Sequence, residues 1–80
     1  MLSLRESLSR LVELMVDEPD EVIVEELGGP GSILFELQVA PQDLGKVIGR
    51  QGRTARAMRA LLAARGARDG ERYELEILEG

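Results

Sequence analysis

Cysteine, histidine and tryptophan are missing from this 80-residue chain, and Phe35 and Tyr73 are its only aromatic residues. Without cysteine there is neither a disulfide framework nor a thiolate metal site, and without histidine only carboxylates remain as metal ligands. Stability has to come from packing, in a chain near the size at which a single core is only marginally stabilising. The same gaps exclude most catalysis. There is no Cys or His nucleophile or base and no GxxxxGK[ST] phosphate cradle, and the carboxylates are scattered over surfaces predicted to face solvent. Neither enzyme activity, nor a cofactor, nor a small-molecule substrate is expected. No run of about 18 apolar residues could span a bilayer, and no basic stretch leads into an apolar one, so a cytoplasmic chain without a membrane partner is expected.

The formal net charge is -5, which by itself argues against a polyanionic partner. The distribution reverses that conclusion. Residues 41–68 hold Lys46, Arg50, Arg53, Arg56, Arg59, Arg65 and Arg68 against one acid, Asp43, whereas the remainder has three basic residues against fourteen acids. An acidic body with one basic face fits local binding of a polyanion.

Leu4, Leu8, Leu11, Val12 and Met15 follow the spacing of one helical face, which predicts a helix over 3–16. Ser3 with Glu6 forms a capping-box pattern, and Pro19 sets the far limit. The β-branched run Val22–Leu27 reads as a strand stopped by Gly28-Gly29-Pro30-Gly31. From Ile33 to Ala40 the pattern alternates, with Ile33, Phe35, Leu37 and Val39 on the buried face; the two strands form an antiparallel hairpin. Pro41 opens a short helix with Leu44, Val47 and Ile48 as its apolar positions. A second helix follows Gly52, with Thr54, Met58, Leu61 and Leu62 directed to the core, arginines opposite and Gly66 as its C-cap. Asp69-Gly70 turns the chain into a last strand, Tyr73–Ile77, which returns through a helical crossover and so runs parallel to a neighbour. The order is α-β-β-α-α-β: an α+β fold of two layers, a three-stranded mixed sheet with helices on one face, in a single domain over 1–80.

Between the last two helices lies Gly49-Arg50-Gln51-Gly52, preceded by the apolar pair Val47-Ile48 and followed by Arg53 and Arg56. Glycines there allow a sharp turn and close backbone approach, and the start of the following helix offers N–H groups and positive charge to an anionic backbone. This apolar-apolar-GxxG run resembles the signature of the K-homology (KH) RNA-binding domain, and the element order matches its type II arrangement. In that family the loop clamps the backbone of about four single-stranded nucleotides. Carried onto this sequence, the resemblance makes Gly49, Arg50, Gln51 and Gly52 the clamp, Val47, Ile48 and Ala55 groove residues, and Lys46, Arg53 and Arg56 phosphate contacts. Ala55 stands where many KH signatures have Ile or Leu, which implies a shallower groove and weak base selectivity. The sheet is excluded as a base-stacking platform, because both aromatics are predicted inward and Glu36, Glu74 and Glu76 outward.

Val16-Asp17-Glu18-Pro19-Asp20, the run from Val39 to Gly49, and Gly52-Arg53-Thr54-Ala55 extend the resemblance to the small bacterial KhpA (YlqC) family over essentially the full chain. That resemblance implies a cytoplasmic RNA chaperone that binds single-stranded RNA. It also implies a homodimer or a pairing with KhpB (Jag/EloR), with a link to cell elongation and envelope growth. The alternative is a KH-fold interaction module with little RNA binding of its own, against which the basic residues Arg50 and Arg53 speak.

Overall fold

Ser3 begins the first helix as expected: its hydroxyl accepts the Glu6 N–H at 3.1 Å while the Glu6 carboxylate accepts the Ser3 N–H at 3.2 Å. In this computed structural model, which describes residues 1–79, the helix is α1, Leu4–Glu13. It is followed by β1 (Ile23–Gly29), β2 (Ser32–Gln38), α2 (Leu44–Ile48), α3 (Arg53–Asp69) and β3 (Arg72–Ile77). Single 3-10 turns at Pro19–Glu21, Pro41–Asp43 and Arg50–Gly52 precede β1, α2 and α3. No helix among the described residues is long and apolar enough to cross a membrane.

The sheet order is β1-β2-β3, antiparallel between β1 and β2 and parallel between β2 and β3. Phe35 and Leu37 on the central strand are buried, opposite Leu75 and Ile77 of β3, and Val24 of β1 faces Leu37. Leu8 and Val12 of α1, Val47 of α2, and Ala55, Met58 and Leu62 of α3 close over this face and complete one core. Tyr73 meets Phe35 edge-on, with ring centroids 5.8 Å apart. The type II KH architecture is therefore present, an α+β fold with its helices on one face.

Four local expectations are corrected. The glycine cluster does not stop β1 at Leu27, because glycine keeps both backbone hydrogen-bonding groups; Gly28 pairs with Ile33 and Gly29 with Ser32, leaving Pro30-Gly31 as the turn. The helix over 3–16 ends at Glu13, and Leu11 stays 41% exposed. Leu61 is 65% exposed rather than core. Burial in α3 follows Ala55, Met58, Leu62 and Gly66, a stripe that Leu61 misses by about a quarter turn at 100° per residue.

Gly66 is not the C-cap, which is Gly70 with a left-handed φ of 71°. Gly66 lies inside the helix, where its carbonyl accepts the Glu71 N–H at 2.8 Å as the chain doubles back. A β-carbon there would run into the Glu71 carbonyl, whereas one at Gly45 of α2 would meet nothing within 4 Å. Gly66→Ala is therefore expected to lower stability by about 1–3 kcal/mol despite alanine's higher helix propensity. Gly45→Ala should be neutral or stabilising by about 0.5–1 kcal/mol. Urea denaturation of the two variants checks the contrast.

Candidate nucleic-acid interface

Gly49 ends α2 with φ 78° and ψ 169°, a conformation reserved for glycine, and a β-carbon there would strike Thr54 side chain and backbone. Gly52 is left-handed at φ 74° as N-cap of α3. Between them Gln51, at φ 55°, is the only non-glycine with positive φ among the described residues. Such a conformation costs on the order of 1–3 kcal/mol and persists where its surroundings enforce it. Here they do: Gly49 N–H donates to Gly45 O at 2.9 Å, Gly52 N–H to Gly49 O at 3.0 Å, and Arg53 N–H to Arg50 O. The Arg56 guanidinium donates to the Gln51 carbonyl at 2.7 Å, strapping the outer turn to α3. None of these bonds uses the N–H of Arg50 or Gln51. The joint therefore has a braced backbone, with the side chains of Arg50, Gln51 and Arg53 exposed.

The expected site residues separate by exposure and by pairing. Arg50 and Arg53 take part in none of the ion pairs among the described residues, so their charge is available to an outside anion. Ile48 is half-buried and offers apolar surface beside Gly49. Val47 has 0% exposure and Ala55 4%, so both lie in the core beneath the joint and present almost no surface as groove walls. Val47 faces the core from α2, and Ala55 sits on the buried stripe of α3.

Lys46 is committed elsewhere. Its ammonium lies 3.1 Å from the Asp17 carboxylate and 3.6 Å from Asp43, and the hydrogen bond to Asp17 holds it above its usual pKa. Asp43 is wholly buried. It accepts the N–H of Asp17 at 3.1 Å and of Glu18 at 2.9 Å, fastening the segment after α1 to the start of α2. The residue was legible only as a first-turn acid; its anchoring depends on a chain segment 25 residues away. Arg59, on the helix face expected to lie opposite the core, lays its guanidinium 3.3–3.4 Å from the Leu75 carbonyl of β3.

An α-β-β-α-α-β chain whose two helices meet at a braced, cationic GxxG turn defines a KH domain of type II. A model of the KhpA/KhpB KH domain matches residues 5–77, and the chain belongs to that family of non-enzymatic KH-domain RNA-binding proteins. Among curated relatives, the RNA-binding protein KhpA of Aquifex aeolicus is 46% identical over 79 residues, covering 99% of this chain and 100% of its own. The KhpA of Clostridium acetobutylicum is 44% identical, covering 94% of this chain and all of its own. That of Chlamydia trachomatis is 43% identical, covering 95% and 97%. No solved structure matches the chain.

Asp43 also dictates an acid sensitivity. Burial opposes its ionisation, but the amides of Asp17 and Glu18 together with Lys46 outweigh this and hold its carboxyl below the usual carboxylate range. A depressed folded pKa contributes stability that is present above the unfolded value, near pH 4, and lost as pH falls through the folded one. Asp43→Asn should lower the melting temperature at neutral pH, because an amide presents NH2 to one of the two N–H donors. The gap from the wild type should narrow below about pH 4 as the wild-type carboxyl protonates; melting curves across pH check both.

Proposed function

We propose that the chain holds single-stranded RNA at Gly49-Arg50-Gln51-Gly52. The observation that carries this reading is the braced joint, with a backbone locked by Gly49 and Arg56 and two exposed arginines, Arg50 and Arg53, that have no acid partner among the described residues. Phosphates lie along the joint, met by its N–H groups and the start of α3, and Arg50 and Arg53 add Coulomb attraction. Arg56 serves from behind, fixing the Gln51 carbonyl. Ile48 supplies the apolar wall of a shallow groove whose floor is supported by Val47 and Ala55. Lys46 joins the phosphate track only by exchanging Asp17 and Asp43 for RNA. The curated relatives, named RNA-binding proteins, support the same partner.

We extend the reading to sequence-tolerant, chaperone-type binding in the cytoplasm, with a link to cell elongation and envelope growth following from the KhpA resemblance. Pairing with a second copy or a KhpB-type protein would raise the modest affinity of a single site through effective concentration. Leu61, 65% exposed on α3 between the exposed Ala57, Ala60 and Ala64, supports such pairing, since small residues let another helix approach closely. The whole chain, 1–80, acts as one KH domain.

Titration of a short labelled single-stranded RNA with wild type and with Arg50→Asp/Gln51→Asp tests the site. Neither glycine is altered, so circular dichroism should show the same fold, and the variant should lose binding. Two or three phosphate contacts predict a wild-type salt slope on the order of -1.5 to -2. Equal binding by a folded variant would refute the clamp, and absence of binding at low salt would favour the interaction-module reading.

A further inference from the structure

Among the described residues, no second layer covers the face of the sheet opposite the helices. Strand register sets Glu25, Glu36 and Glu76 side by side across all three strands. Leu27 and Leu34 pair in the next row on one side, Ile23 and Gln38 on the other. Like charges directly opposite one another in a sheet repel, and none of these glutamates takes part in an ion pair among the described residues. The row is not a cation site, since no group of three or more carboxylates among the described residues is arranged to hold a metal. Beyond the end of β2, where the sheet meets the start of α2, lies a cavity of about 480 Å³ walled by Val39, Pro41, Leu44 and Leu78, with Glu21 and Gln38 as polar groups.

We propose that this face binds a cationic polypeptide segment, one aliphatic side chain filling the cavity and Lys or Arg side chains lying over the glutamate row. Charge complementarity selects the occupant: RNA phosphate is repelled by Glu21, Glu25, Glu36 and Glu76, whereas a basic segment relieves their mutual repulsion. The exposed apolar side chains Ile23, Leu27 and Leu78, 47%, 41% and 37% accessible, give it a dry footing. Docking on the face is favoured over adding a strand, because arginines already sit on both edges. Arg59 donates to the Leu75 carbonyl of β3, and Arg5 reaches the Val24 carbonyl of β1 at 3.5 Å. The glutamate row faces away from the helices that carry the basic joint, so the cationic side chains and a nucleic acid lie on different sides of the sheet, while the cavity reaches round to Leu44 at the start of α2.

The probe is the peptide acetyl-Lys-Lys-Leu-Lys-Lys-amide, titrated at low salt into the 15N-labelled chain. Amide shifts are expected at Glu25, Glu36, Glu76, Leu44 and Leu78, and binding should weaken about tenfold or more in Glu36→Lys, as for loss of a complementary interfacial charge. Leu44→Trp, which fills the cavity, should weaken it as well. Glu36→Lys should meanwhile raise the melting temperature by breaking the like-charge row, so its loss of peptide binding cannot be unfolding, and RNA binding at the joint should persist. The proposal is overturned if the peptide shifts only the joint or nothing, or if a Glu-for-Lys peptide binds equally well. It is also overturned if single-stranded RNA rather than the peptide shifts Leu44 and Leu78, or if sedimentation shows a second copy of the chain seated on this face.

Discussion

The close approach of Gly49 to Thr54 is the constraint on which the helical layer depends. With φ at 78° and ψ at 169°, Gly49 turns α2 into α3 within one four-residue joint, and any β-carbon at this point would collide with the first turn of α3. Because α3 carries Ala55, Met58 and Leu62 into the core, its position on the sheet and the shape of the joint are set together. The joint is held from both sides, by Val47 of α2 and by Ala55 and Met58 of α3 packed in the core.

A second layer of control is polar. Asp43, buried under α2, gathers two backbone N–H groups from the segment after α1, and Arg56 gathers the carbonyl of Gln51. One side chain thus fixes the beginning of α2 and another the joint beyond its end. A buried carboxylate without such donors would carry a large desolvation penalty. With them, and with Lys46 nearby, the same charge ties together segments far apart in sequence. The cost falls on Lys46, whose positive charge is directed to Asp17 and Asp43 rather than outward.

Arginine serves three distinct purposes within a short stretch. Arg50 and Arg53 are exposed at the joint and unpaired among the described residues, Arg56 braces it, and Arg59 covers an exposed strand edge. The planar, multi-donor guanidinium is suited to each task. Net charge conceals the arrangement, since the acids that outnumber these arginines lie mostly on the open sheet face and the loops. Positive charge is thereby concentrated on the side where the backbone leaves room for an anion.

The order of elements, the hairpin, the parallel return of β3, the Ser3 cap and the GxxG joint were all legible in the sequence. Each is written in local signals: an apolar period, a capping pair or a glycine spacing. The tertiary structure alone decided which of several plausible faces is buried. Leu61 lies a quarter turn from the Ala55–Met58–Leu62–Gly66 stripe and stays exposed, and Val47 and Ala55 sink beneath the joint they had been expected to line. It also decided that Gly66 is kept small by the returning carbonyl of Glu71, and that Asp43 and Lys46 face Asp17 and Glu18. Those outcomes depend on groups brought together across long loops, where contact follows from how the layers pack and leaves no trace in the spacing of neighbouring residues.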